Sequence, residues 1–123
     1  MRILYIDDDI EDIEIFAEAI HAVNPAIEFS SARSGREALT LLYESEPMPS
    51  HIVLDVNMPG MDGKSCLREI RAEEKFNDIK IFVYSTNSFP GDIAEMESLG
   101  ATFMRKANSF NDLCDMIRGM IAD

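Results

Sequence analysis

Five short apolar or half-apolar runs divide the 123-residue chain, and each is followed by a polar turn and then by apolar positions spaced three and four apart. The first, Arg2 to Ile6, reads as a strand closed abruptly by Asp7-Asp8-Asp9. Behind it Ile10, Ile13, Ala17, Ile20 and Val23 predict one apolar helix stripe. Asp9 suits the N-cap of that helix, Asp12 adds negative charge to its first turn, and Asn24-Pro25 stops it. Residues 26–32 (AIEFSSA) form a weaker, half-polar run, as expected of a sheet edge. Ser34-Gly35-Arg36-Glu37 has capping-box spacing before a helix carrying Ala38, Leu41 and Leu42. The two prolines at 47 and 49 make a loop into His51-Ile52-Val53-Leu54, a strand buried on both faces that ends at Asp55.

The second half repeats the alternation. Pro59, Gly60 and Gly63 turn the chain after Asp55, and Cys66, Leu67 and Ile70 mark a third amphipathic helix that fades at Glu73-Glu74-Lys75. Ile79 to Tyr84 is a fourth strand, ended by Ser85-Thr86-Asn87-Ser88. Pro90-Gly91 opens a short helix with Ile93, Met96 and Leu99, stopped by Gly100. Thr102-Phe103-Met104 is the last strand, ending at Arg105-Lys106. Ser109 caps the final helix, whose stripe is Phe110, Leu113, Cys114, Ile117 and Ile121. Strand and helix alternating five times predict an α/β fold with a parallel sheet, doubly wound by right-handed crossovers that put helices on both faces. One domain, residues 1–123, accounts for all of it, and no output domain is expected.

Composition narrows the function. Twenty-three acidic against eleven basic residues give a formal charge of −12, which argues against nucleic acid as a partner. No apolar run approaches the ~20 residues a membrane span needs, and no signal-peptide core precedes Asp7, so a cytoplasmic protein is expected. Cys66 and Cys114 fall at apolar helix positions and read as buried free thiols. His21 and His51 stand apart from the acidic positions and read as structural.

The chemistry lies at the strand ends. In a doubly wound sheet the C-terminal ends of the strands share one edge, with the first and third strands adjacent at the switch point. That edge would gather Asp7 and Asp8, Asp55, Ser85 with Thr86, and Lys106. Three carboxylates so close repel one another, and a hard divalent cation such as Mg²⁺ removes the problem while leaving places for a phosphoryl oxygen. Lys106 could neutralise a second oxygen and Ser85 hydrogen-bond a third, while an Asp carboxylate can attack phosphorus to give an acyl phosphate. Each residue alone has a plain reading: helix capping for the aspartates, a turn for Asp55, a solvated charge for Lys106, a strand-end hydrogen bond for Ser85. Their joint order along the chain favours the site.

Ile6-Asp7-Asp8-Asp9, then Asp55-x-x-Met58-Pro59-x-Met61-Asp62-Gly63, then Ser85, then Lys106 resemble the receiver domain of two-component response regulators over essentially the whole chain. The resemblance implies a flavodoxin-like (βα)5 sandwich with strand order 2-1-3-4-5. It implies Asp55 as phospho-acceptor and Asp7, Asp8, Asp55 and the backbone carbonyl of Asn57 as holders of Mg²⁺. Ser85 becomes the switch hydroxyl, Lys106 the site lysine and Phe103 an aromatic switch, more plainly a core residue when taken alone. Two positions depart from the family pattern. Ala107 follows Lys106 where proline is usual, so no cis peptide is expected there. Thr86 is larger than the usual Ala or Gly and is expected to crowd the phosphoryl pocket.

By the same resemblance a histidine kinase or phosphotransfer protein would supply the phosphate. An unidentified downstream protein would read the face made by the fourth helix, fifth strand and fifth helix, and the chain would be a monomer or weak dimer. It would be a signalling domain rather than an enzyme. Three alternatives stand beside this. A degenerate receiver would bind partners without phosphate. A haloacid-dehalogenase-like phosphotransferase would use the Asp-x-Asp within Asp7-Asp8-Asp9 but wants a cap domain. A flavodoxin-like electron carrier wants a Ser/Thr/Gly-rich loop where this chain has three aspartates.

Overall fold

The structure, a computed structural model, describes residues 1–56, 63–86 and 90–122. Five parallel strands, β1 (Arg2–Ile6), β2 (Glu28–Ala32), β3 (His51–Leu54), β4 (Lys80–Ser85) and β5 (Ala101–Arg105), form one sheet in the order β2-β1-β3-β4-β5. Between and after them run α1 (Ile10–Val23), α2 (Gly35–Glu44), α3 (Gly63–Ala72), α4 (Pro90–Ser98) and α5 (Phe110–Met120), with a 3₁₀ turn at Glu74–Phe76. The parallel sheet is the one the strand–helix alternation predicts, and its flavodoxin-like order is the one the resemblance implies.

The central strand explains the two-layered core. Ile52, Val53 and Leu54 are all fully buried, because successive side chains of a strand point to opposite faces and both faces are covered. Ile52 and Leu54 join Leu42, Leu67, Ile70 and Phe76 beneath α2 and α3. Val53 joins Tyr5, Phe16, Ile20, Leu113 and Ile117 beneath α1 and α5. Each such side chain taken out of water contributes about 1.5–3 kcal/mol against the entropy of ordering it.

The helix starts follow the capping chemistry. Asp9, Ser34 and Ser109 accept backbone N–H groups of Glu11, Glu37 and Asp112 at 2.9, 3.1 and 3.1 Å. Gly100 ends α4 with φ +81°, a conformation that costs a Cβ-bearing residue energy. Two apolar stripes are displaced from those the spacing predicts. In α1, Phe16 and Ala19 are buried with Ile20, while Ile10 is 48% exposed; in α5, Met120 is buried and Phe110 is 42% exposed. Ile10 and Phe110 are the first residues of their helices. β2 also starts later than the apolar run, at Glu28, because the Asn24 side chain and carbonyl accept the N–H groups of Ala26 and Ile27 and hold residues 24–27 in a turn. Both cysteines are free and buried, and His51 is buried at the start of β3.

One cation ties the far end of the fold together. The Arg71 guanidinium, at the end of α3, donates to the carbonyls of Leu99 (2.8 Å), Ile79 (3.0 Å) and Phe76 (3.2 Å). It thereby closes the turns into β4 and β5 from one side chain. Arg71→Ala leaves those partly buried carbonyls without a donor, and is expected to cost about 2–3 kcal/mol, read as a lower urea midpoint at unchanged m-value.

Candidate functional site

The backbone ladder runs one residue past the strands and aligns their ends. Asp7 N–H donates to Ala32 O (3.0 Å), Asp55 N–H to Ile6 O (2.9 Å) and Lys106 N–H to Ser85 O (3.0 Å). Side chains chosen for polarity are thus fixed at the edge of an apolar sheet. Asp7, Asp55 and Ser85 are buried there, while Asp8 stays partly open to solvent. One carboxylate oxygen each of Asp7, Asp8 and Asp55 lies within 4.8 Å of the other two.

Asp7 is oriented from both sides. The Tyr5 hydroxyl donates to its Oδ2 at 2.7 Å, and the Asp9 N–H donates to its Oδ1 at 3.0 Å. Burial, with that hydrogen bond to Asp7, pushes the Tyr5 phenol far up, so it remains a donor. Lys106 approaches from β5. Its ammonium lies 3.2 Å from Asp12 Oδ2, 3.8 Å from Asp7 Oδ2 and 3.9 Å from Asp55 Oδ2. Burial alone would lower the pKa of this ammonium, but Asp55, Asp12 and Asp7 outweigh it and hold it above its ordinary value. The group is a fixed cation.

Three carboxylates with one ammonium leave a local excess of negative charge suited to a divalent ion. The three oxygens already lie within 4.8 Å of one another, and a Mg²⁺ ion with oxygens at about 2.1 Å would draw them closer still. The donor set, all carboxylate oxygen, is of the hard type that Mg²⁺ prefers. Asp7, Asp8 and Asp55 would hold it. Asn57, assigned a carbonyl ligand from the sequence, lies outside the described residues, as do Met58 and Asn87.

The remaining sequence candidates fall into two groups. Ser85 is the last residue of β4, and register pairs it with Arg105 two residues beyond the Val83–Phe103 pair, so Ser85 and Phe103 share one sheet face. Phe103 is half-buried against the α2–α3 core. Thr86 lies past the strand and is exposed. Among the described residues the cis peptide is Glu46–Pro47, not Lys106–Ala107.

Three participants escaped sequence reasoning: Tyr5, Asp12 and Tyr84. Tyr5 carried a readable signal, since it stands two before Asp7 on the same strand face. Asp12 was read only as dipole compensation and Tyr84 only as packing. The Tyr84 hydroxyl in fact accepts the Ala107 N–H at 3.2 Å, and its ring centre lies 5.6 Å from the Lys106 ammonium.

Gly63 sets how closely α3 can approach the site. A Cβ at this position would stand 2.3 Å from Val56 Cα and 2.9 Å from Asp55 O. No side chain can relax that contact, because the obstacle is backbone. Gly63→Ala is therefore expected to lower stability by about 1–3 kcal/mol. It should also weaken Mg²⁺ binding measured by titration calorimetry, since the Asp55–Val56 backbone must move.

Residues 3–118 match the response regulator receiver domain family. The response regulator Rcp1 of Synechocystis is 29% identical over 96% of this chain and 84% of its own length. Other curated relatives are longer, and the chain spans only 26% and 49% of the next two. Among solved structures, the phosphorylated cyanobacterial phytochrome response regulator RcpA superposes with a TM-score of 0.86 at 27% identity, covering 97% of this chain and 89% of that one. The Mn²⁺-bound form of Rcp1 superposes with a TM-score of 0.84 at 26% identity, covering 97% and 90%. Among the described residues no helix is long and apolar enough to cross a membrane.

Proposed function

Because this chain belongs to the response regulator receiver family of two-component signalling, we propose that its Asp55 takes a phosphoryl group from a histidine kinase or phosphotransfer protein. The observation that carries the reading is the convergence of buried Asp55 with Asp7, Asp8 and the Lys106 cation at one sheet edge. A solved phosphorylated relative and a Mn²⁺-bound relative lend support by analogy.

An Asp55 carboxylate oxygen forms the new P–O bond while the donor's bond to phosphorus breaks and the electron pair leaves with the donor, a histidine nitrogen in the physiological case. Mg²⁺ held by Asp7, Asp8 and Asp55 would offset their repulsion and the charge of the incoming phosphoryl oxygens. Lys106, 3.9 Å from the Asp55 carboxylate, is the cation placed to hydrogen-bond the transferred group. Ser85, fixed at the end of β4, supplies a hydroxyl donor to another phosphoryl oxygen. Movement of that hydroxyl, with Phe103 on the same sheet face, is the proposed route by which phosphorylation alters the α4–β5–α5 surface read by a downstream protein.

Intact-protein mass spectrometry after incubation with acetyl phosphate tests the reading. Uptake of one phosphoryl group that requires Mg²⁺ is expected. No uptake with Mg²⁺ would move the chain to a phosphate-independent binding module, with exposed Thr86 the first position to revert to Ala.

A further inference from the structure

Lys106 has a closer partner than the acceptor. Among the described residues its ammonium hydrogen-bonds Asp12, on the first turn of α1, at 3.2 Å, whereas Asp7 and Asp55 lie at 3.8 and 3.9 Å. A second, independent set of contacts holds the same side chain on the α1 side: the Tyr84 ring faces the ammonium at 5.6 Å, and the Tyr84 hydroxyl accepts the N–H of Ala107, the next residue. Tyr84 is itself locked, packing edge-on against Phe16 of α1 at 5.8 Å and against Tyr5 at 6.4 Å. The seat is therefore built from β4, α1 and the start of the β5–α5 loop, and it is distinct from the three carboxylates.

We propose that Asp12 is a positioning residue that holds Lys106 nearer to itself than to Asp55 before phosphorylation and must release it when the phosphoryl group arrives. The inference rests on the phospho-acceptor reading of Asp55. In the resting protein the ammonium is shared among three carboxylates but bonded to Asp12. A phosphoryl group on Asp55 brings further negative charge and acceptor oxygens within reach of the ammonium. The Asp55 contact survives the transfer, because phosphorylated Asp55 still attracts Lys106; the Asp12 contact is the one given up. Asp12 thus opposes phosphorylation by the strength of one partly exposed ion pair. The side chains of Lys106 and Asp12 are 20% and 38% exposed, so the effect is modest.

Asp12→Asn keeps the shape of the side chain and removes its charge. Phosphoryl uptake from acetyl phosphate is expected to rise about two- to fivefold, the range a solvent-screened pair supports. Asp12→Glu should return the rate toward that of the unaltered protein. In a Lys106→Met background, Asp12→Asn should change nothing, because an effect carried by Lys106 vanishes with it. A rate that is unchanged or lower in Asp12→Asn overturns the proposal, as does an increase that persists in Lys106→Met. A second readout needs no phosphate. In the unphosphorylated, metal-free protein the side-chain resonances of Lys106, followed by ¹³C,¹⁵N-lysine NMR, should shift on Asp12→Asn. Resonances that do not move overturn the seat even if uptake changes. Failure of the unaltered protein to take up phosphate, with a shifted Lys106 resonance, would instead overturn the acceptor reading alone.

Discussion

Asp55→Asn is expected to abolish Mg²⁺-dependent phosphoryl uptake while leaving the fold intact. Asparagine matches the volume of aspartate, and Asp55 sits in a position fixed by its backbone N–H to Ile6 O rather than by its side-chain shape. The amide lacks the anionic oxygen that attacks phosphorus, so no slower version of the same reaction remains. The substitution also removes one of the three carboxylates whose oxygens lie within 4.8 Å, and Mg²⁺ affinity should fall with it. The melting temperature of the metal-free protein should stay within a few degrees of the unaltered one, corresponding to about 1 kcal/mol or less. A variant that still accepts one phosphoryl group would place the acceptor elsewhere.

Lys106→Met is the second large effect. The methylene stem is kept and the cation removed, so packing is largely preserved while the charge is lost. Uptake should slow by about a hundred- to a thousandfold, the range seen when one preorganised stabilising donor is removed from a reacting oxyanion. Stability should fall as well, because buried Asp7 and Asp55 lose their shared counter-charge. That loss is expected at about 1–3 kcal/mol, reduced from the value for a fully buried pair because Lys106 retains some contact with water. Added Mg²⁺ should recover part of the stability but not the rate. The two losses therefore separate in one experiment: metal can replace the missing charge at rest, whereas the phosphoryl oxygen that Lys106 would meet is left without its donor.

The parallel sheet and its shared edge were legible in the sequence because they follow from local signals, whereas the strand order came from the resemblance. Asp9, Ser34 and Ser109 announce helix starts, and His51 to Leu54 could only be a strand covered on both faces. Once five such units alternate, the handedness of the connections brings residues 7, 8, 55, 85 and 106 to one edge. What was not legible depended on rotation of a helix about its own axis. The segment Ile10–Val23 carries apolar residues on more than one face: Phe16, Ala19 and Ile20 are buried, with Phe16 stacked on Tyr5 at 4.3 Å and Ile13 and Val23 packed beside them, while Ile10 is exposed. The same rotation delivers Asp12 to Lys106, which no spacing rule relates across 94 positions of sequence. Arg71 is illegible for a similar reason, since its partners are carbonyls that any residue type could supply.

The most direct measurement locates the phosphoryl group rather than counting it. Borohydride reduces an aspartyl phosphate to homoserine, and peptide mapping then identifies the converted position. After treatment with acetyl phosphate and Mg²⁺, homoserine is expected at position 55 and at no other aspartate. Homoserine at position 7, 8 or 12, or none despite a measured gain of one phosphoryl group, would contradict Asp55 as the acceptor.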